Sequence, residues 1–349
     1  MRHQDALAAV QVNSAAGVLG KGLFDPNFSR PFIGRDGHPY IVANGQRLRT
    51  NAPAMLQYDE WRDIDRRVIG VFTERIQAVA DLMSAGLTHP LGNIGLTISL
   101  WDKVSDMTGA DVSMSGVTEG EEDTPAYETD QVPVPIVHKD FRVNLRRLEG
   151  SRRMGEAIDV TAGALAARVV AEKNEDLLLS GSPIKVEGGV IYGYTNHPDR
   201  NTVDMTEQWT AAGKTGAEIV ADVQAMLAAA RADNRHGPFV LYIPGEYEGK
   251  LDDDYNPATS DTRTIRQRLL QLEGISRIAV LDRLANHNVL LVQLDRDVVD
   301  WAMAQDVTTV QWEVQGGMQQ RFKVMTIGAP RVKADFDGRS GIVHLYEIP

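Results

Sequence analysis

Cysteine is absent from all 349 residues. That removes disulfides, thiolate metal sites and cysteine nucleophiles, and leaves the redox compartment open. Aromatic residues make up only 6% of the chain, so its core must be mainly aliphatic and alanine-rich. No apolar run approaches the ~18 residues of a membrane-spanning helix. The first residues are interrupted by Gln4, Asp5, Gln11 and Asn13 and lack the continuous apolar stretch of a signal peptide. A product without membrane association is expected, intracellular or released with something made in the cytoplasm. Positive charge is also in deficit, with 36 Lys and Arg against 48 Asp and Glu, a net charge of −12. Such a balance argues against coating nucleic acid, which needs basic residues and counter-ion release.

The sharpest deficit is local. Between Val104 and His138 there is no Lys or Arg, while Asp106, Asp111, Glu119, Glu121, Glu122, Asp123, Glu128 and Asp130 all fall there. The residues that follow reverse the sign with Lys139, Arg142, Arg146, Arg147, Arg152 and Arg153. A long acidic, glycine-bearing excursion that returns on a basic strand has little to do in an isolated monomer. It fits an arm that reaches the basic surface of a neighbour.

The chain is long enough for two domains. Residues 1–53 are punctuated by Gly17, Gly20, Gly22, Pro26, Pro31, Gly34, Gly37, Pro39 and Gly45, which break regular structure, yet Phe24, Phe28, Phe32, Tyr40, Ile41 and Val42 require a surface. This part reads as an extended arm that docks. Met55–Ala85 shows one helical face of Met55, Tyr58, Trp61, Ile64, Val68, Phe72, Ile76, Val79 and Leu82. Pro90–Leu100 contains a short strand, and Val132–Leu145 alternates as one bulged strand or two. Met154–Leu179 repeats apolar residues at helical spacing and would span about 39 Å, ending at Gly181 and Pro183.

From Ile184 onward strand and helix patterns mix. A hairpin is expected over Val186–Tyr194 with a Gly188–Gly189 turn, helices over Gly216–Arg231 and Thr264–Leu272, and strands over Phe239–Ile243, Ile275–Leu281 and Val289–Leu294. A helix is expected over Asp295–Ala304, a hairpin over Thr308–Val314 and Gln320–Ile327, and a pairing of Val332–Phe336 with Ile342–Tyr346. The class is α+β.

Motifs for catalysis or cofactors are weak. Gly213-Lys214-Thr215 resembles the end of a phosphate loop, but Gln208 stands where the first glycine belongs. A loop capping the next helix is the simpler reading. Gly17, Gly20 and Gly22 around Lys21 fail the same test. Asp252, Asp253, Asp254 and Asp261 lack calcium-loop spacing. The eight histidines are scattered, with no pair four residues apart. No catalytic residue, cofactor or metal is expected.

Several segments together resemble a known family. Glu60-Trp61-Arg62-Asp63-Ile64-Asp65 resembles the W-x-x-I-D helix of encapsulin shell proteins. The strand Val134–Val143, the helix Ala166–Ser180 with Ala171, Glu172, Glu175 and Asp176 ahead of Gly181, and the run Phe322–Thr326 are similar to later parts of the same shells. The superfamily is that of tailed-phage major capsid proteins, with the Hong Kong 97-like fold.

The resemblance implies an N-terminal arm over residues 1–53 and an extended E-loop over residues 90–135. It implies a peripheral domain with a long spine helix over residues 54–89, 136–195 and 326–349, and an axial domain over residues 196–325. It implies self-assembly into hexamers and pentamers of an icosahedral head around double-stranded DNA, bound without sequence specificity. Scaffolding, portal and cement proteins would be partners, with assembly in the host cytoplasm and a final place in the virion. The alternative is an encapsulin-type compartment around a cargo protein. Encapsulin shells begin almost directly with the Trp-bearing helix, whereas some fifty residues precede it here, which favours the virion. The expected inter-subunit clasp pairs Glu119, Glu121, Glu122 and Asp123 with Arg146, Arg147, Arg152 and Arg153.

Some relatives weld subunits through an E-loop lysine, and this excursion has none. Assembled particles boiled in denaturant are therefore expected to run as one band near 38.4 kDa, whereas a ladder of multimers would show covalent cross-linking.

Overall fold

The computed structural model describes residues 31–43, 46–50, 56–114, 122–154, 161–255, 263–315 and 318–347. Five sheets and seven helices occur among them.

The chain enters through a small antiparallel sheet of β1 (Phe32–Ile33), β2 (Pro39–Ala43) and β3 (Gln46–Arg49). The second half of the expected arm is thus a folded meander, not an extended segment. It docks on its own subunit: Phe32 is buried and meets Tyr58 edge-on at 5.2 Å. Residues 1–30 lie outside the described part.

The helical face seen over Met55–Ala85 is divided into α1 (Tyr58–Arg75) and α2 (Ala78–Ser84). Glu175 explains the break. It is buried on α4 (Thr161–Ser180), and its carboxylate accepts the backbone N–H groups of Gln77 at 2.7 Å, Ala78 at 3.1 Å and Val79 at 3.0 Å. These are the donors a new helix leaves unpaired at its start. Burial lifts the Glu175 carboxyl above its ordinary value, and the three N–H groups oppose that rise.

Of the long helix expected over Met154–Leu179, α4 covers the part from Thr161 on; residues 155–160 lie outside the described part, and α3 (Leu145–Met154), which was not expected, precedes them. Gly181 ends α4 with φ at 69°, and a Cβ there would lie 2.2 Å from the Ile191 carbonyl oxygen, so only glycine fits.

A four-stranded sheet lies beneath α1 and α4, in the order β4 (Thr88–Pro90), β14 (Val299–Val314), β15 (Gln319–Val332), β7 (Ile136–Asn144). Its centre is aromatic. Phe322 stacks on Phe141 at 4.9 Å and meets Trp61 edge-on at 6.0 Å. The two-stranded sheet of β5 (Ile98–Val104) and β6 (Tyr127–Pro133) projects from this part, and β8 (Ser182–Val186) pairs with β9 (Gly189–Ile191). The β8–β9 turn is Glu187–Gly188, at φ 49° and 90°, one residue before the expected turn.

The remaining sheet has the order β10 (Asn201–Asp204), β16 (Ile342–Tyr346), β13 (Val289–Gln293), β11 (Phe239–Pro244), β12 (Ile275–Leu281). Every residue of β11 is buried. Val240, Tyr242, Leu290, Val292 and Ile342 join the core under α1 and α4, while Phe239, Leu241, Ile243, Val289, Leu291 and Val343 join a second core under α5 (Gly216–Ala232). A sheet covered on both faces needs continuous apolar strands, and these have them. Two short helices, α6 (Glu248–Leu251) and α7 (Ile265–Leu270), close the second core.

Two expectations are corrected. Asp295–Ala304 is not a helix: the Asp295 carbonyl accepts N–H groups of Val298 and Val299 in one turn, and β14 starts at Val299. Val299, Trp301 and Ala302 pair with Val332, Pro330 and Ala329 of β15, and this long-range pairing overrides the short helical pattern. Val332–Phe336 does not pair with Ile342–Tyr346, because β15 ends at Val332 and β16 lies between β10 and β13.

Two side chains tie the helical layer to the five-stranded sheet. Asp81 of α2 accepts the Tyr242 hydroxyl at 2.9 Å and pairs with Arg277 of β12. Arg283 makes a two-pronged contact to Asp176, next to Glu175, at 2.9 and 2.7 Å. Replacing Glu175 by Ala strands three backbone donors, and the expected cost is roughly 3 kcal/mol, read by urea denaturation of dissociated subunits. A loss well under ~1 kcal/mol would show that the cap does not hold the break.

Candidate interaction surface and its anchorage

The acidic excursion leaves the body as the β5–β6 ribbon, paired in register from Ile98–Pro133 to Val104–Tyr127. Opposed residues share a face. Ser99, Trp101 and Lys103 with Val132, Asp130 and Glu128 form the inner face. Leu100, Asp102 and Val104 with Gln131, Thr129 and Tyr127 form the outer one. The outer face is wet yet partly apolar: Leu100 is 60% and Tyr127 71% exposed, and Val104 is also exposed. Further out, Met107, Val112 and Met114 are exposed as well. Contiguous exposed apolar side chains on a polar, two-stranded ribbon mark a contact surface.

The base of the ribbon is held by a buried charge knot. Arg331 of β15 and Asp300 of β14 face each other across the sheet, 5% and 3% exposed at their side chains. Arg331 Nε donates to Asp300 Oδ1 at 2.6 Å, and Lys333 Nζ to Oδ2 at 2.8 Å. The same guanidinium reaches Ser99 Oγ at 3.4 Å and lies 5.8 Å from the Trp101 ring centre, both on β5. A planar cation satisfied by carboxylate, hydroxyl and ring is suited to this junction in a way lysine is not. Sequence reading did not single out Asp300 or Arg331, because each sits in a segment whose partner is distant in the chain.

Of the expected clasp residues, Glu119 and Glu121 lie outside the described part. Glu122 and Asp123 are exposed, and Asp123 Oδ2 accepts the Thr108 N–H at 3.0 Å. Arg146 and Arg153 are exposed on α3, which also carries Arg147 and Arg152. Among the described residues, no ion pair joins Glu122 or Asp123 to Arg146 or Arg153 within the subunit. Other acids of the excursion find closer cations. Asp130 pairs across the ribbon with Lys103 at 2.9 Å, and Asp106 with Arg339, in the loop before β16, at 3.2 Å. Arg339 was not foreseen, since its partner is 233 positions away.

The remaining motifs have structural partners. Thr215 caps α5 in a reciprocal box with Glu218. Lys214 is buried against Asp222 at 2.9 Å, and Trp209 Nε1 donates to the same carboxylate. Asp252 pairs with Arg266 and Asp253 with Lys250, while Asp261 lies outside the described part. Among the described residues no cluster of three potential metal ligands occurs, and no helix is long and apolar enough to cross a membrane.

Residues 51–345 match the model of a family of unknown function, DUF6260. The chain belongs to that family. It is also similar to the type 1 encapsulin shell protein EncA of Myxococcus xanthus, 25% identical over 285 residues, which span 80% of this chain and 90% of that protein. Among solved structures, the virus-like particle of Pyrococcus furiosus aligns with a TM-score of 0.57 at 18% identity, covering 82% of this chain and 98% of that one. The capsid of Myoviridae phage XM1 aligns with a TM-score of 0.59 at 11% identity, covering 75% and 89%. This member of DUF6260 therefore has the Hong Kong 97-like fold shared by phage capsids and encapsulins.

Breaking the knot should be costly, since it leaves the buried Arg331 and the half-buried Lys333 without their anion. Asp300→Ala is expected to destabilise the subunit by about 3–5 kcal/mol and to raise protease sensitivity at the ribbon base. A joint Asp300→Ala and Arg331→Met replacement should recover part of that loss in the same denaturation assay.

Proposed function

We propose that this chain is a structural, non-enzymatic shell protein that assembles into hexamers and pentamers of an icosahedral phage-type head enclosing double-stranded DNA. The observation that carries the reading is the β5–β6 ribbon of the acidic excursion, with its partly apolar outer face, on a Hong Kong 97-like body. In this reading the ribbon belongs to the E-loop over residues 90–135. Residues 1–53 form the arm, α1, α4 and the sheet beneath them the peripheral part, and the five-stranded sheet with α5 the axial part. The ribbon reaches a neighbour, where Glu119, Glu121, Glu122 and Asp123 meet Arg146, Arg147, Arg152 and Arg153. One exposed ion pair contributes only about 0–1 kcal/mol, but charge complementarity repeated at every subunit contact sets register. The net charge of −12 suits a lining along which DNA slides while a motor fills the head. Scaffolding, portal and cement proteins complete the partners, and the assembled chain resides in the virion.

The similarity to EncA over most of both chains favours a second reading, a compartment around a cargo protein. Particles isolated from the native source separate the two. Nuclease-protected double-stranded DNA supports the head, and a stoichiometric co-purifying protein without DNA supports the compartment.

Electron microscopy of the recombinant protein tests the shared part of both readings: closed shells are expected, and a small soluble oligomer alone would overturn them. Reversing Glu121, Glu122 and Asp123 to Lys together is expected to abolish or deform shells while circular dichroism shows a folded subunit. Normal shells from that variant would remove the electrostatic clasp.

A further inference from the structure

Two buried histidines, His197 and His344, flank one arginine at the edge of the five-stranded sheet. Arg200 Nε donates to Nδ1 of His344 at 3.3 Å. The other ring nitrogen, Nε2, lies 2.7 Å from Asn288 Oδ1. That oxygen is identified by the amide nitrogen of Asn288, which donates to the carbonyls of Ala285 and Asn286. With Nδ1 accepting, the single ring proton sits on Nε2 and the imidazole is neutral. His197 is held the same way, its Nδ1 accepting the backbone N–H of Asp199 at 3.2 Å, while its carbonyl accepts Arg200 Nη1 at 2.9 Å. Tyr346 stacks on His344 at 4.4 Å and receives the Arg200 guanidinium at 5.9 Å.

The charged surroundings are unequal. Thr202 of β10 and Leu290 of β13 stand opposite His344 in register, and among the described residues Arg200 is the charged group acting on it. Burial first, then Arg200, holds this imidazole down to about 4. His197 is lowered by burial, and faces Asp199 and Asp130, which pull upward, and Lys103 and Arg200, which push down. Lys103 and Asp130 belong to the inner face of the ribbon, so this cluster sits where the edge strand, β16 and that face converge.

We propose that Arg200, His197 and His344 form an acid-released latch that locks the edge strand β10 onto β16. A proton on Nδ1 of His344 removes the acceptor of Arg200 Nε and leaves two cations at hydrogen-bond distance. Arg200 must then withdraw, taking with it the contacts to Tyr346 and the His197 carbonyl. Asn201–Asp204 has one strand neighbour, β16, and so opens at lower cost than the strands within the sheet. The direction follows from linkage. His344 binds a proton more weakly when latched than when open, so the latched form is favoured above the ordinary histidine range and loses that advantage as pH falls toward about 4. The latch belongs to the single subunit and stands whether or not the chain builds a shell.

Hydrogen exchange of the full chain tests it. From about pH 7.5 to about pH 5, after correction for intrinsic rates, exchange at residues 201–204 should rise about thirtyfold more than at the buried strand β11. His344→Gln keeps an acceptor for Arg200 without titrating, and should stay protected and lose the pH response. Should that variant fold poorly, Arg200→Met supplies the second test: β10 should already exchange fast at about pH 7.5 and respond little to acid. A pH response that persists unchanged in either variant, or none in the unaltered chain, would overturn the latch.

Discussion

The packing of the helical layer on the five-stranded sheet depends on one carboxylate. Glu175 sits buried on α4 and collects three backbone N–H groups where α1 gives way to α2. Without it a helix start would be buried with unpaired donors, a cost that burial makes severe. With it, the chain turns at Gln77, and α2 presents Asp81 to Tyr242 and Arg277 of the five-stranded sheet. The next residue of α4, Asp176, holds Arg283 after β12. Two consecutive acids thus fix α2 in place and link the helical layer to the second sheet.

The β5–β6 ribbon obeys the opposite logic. Its inner face is secured at the base by Arg331, Asp300, Ser99 and Trp101, while its outer face leaves Leu100, Val104 and Tyr127 in solvent. A two-stranded ribbon has no core of its own. An anchored base with exposed apolar groups beyond it agrees with the shell-forming reading of this DUF6260 member. Asp130 and Asp106 are answered within the subunit by Lys103 and Arg339.

Much of the fold was legible wherever a segment's own pattern decided it. The apolar spacing over Gly216–Arg231 and the loop capping it announced α5, and the apolar run of Phe239–Ile243 announced a buried strand. The larger misreadings involve partners far away in the chain. The apolar face from Met55 to Ala85 continues through the break, so nothing local reveals that Glu175 divides it. Asp295–Ala304 carries a passable helical spacing, but β15 claims it as a strand. The same holds for the surface: the lysine-free excursion was visible as composition, whereas its anchor unites residues 99, 101, 300, 331 and 333, which no window contains.

By itself the sequence determined the class of fold, the placement of the main helices and strands, the absence of thiol chemistry, and the acidic excursion that a relative of capsids and encapsulins would use between subunits. These follow from residue type and short-range period, which act through local sterics and burial of one face. The tertiary structure alone decided where helices break, which strands are neighbours, which acids already have an internal cation, and that two histidines share one arginine. Those outcomes rest on burial and on contacts between residues up to 233 positions apart, where desolvation, not local preference, sets the free energy.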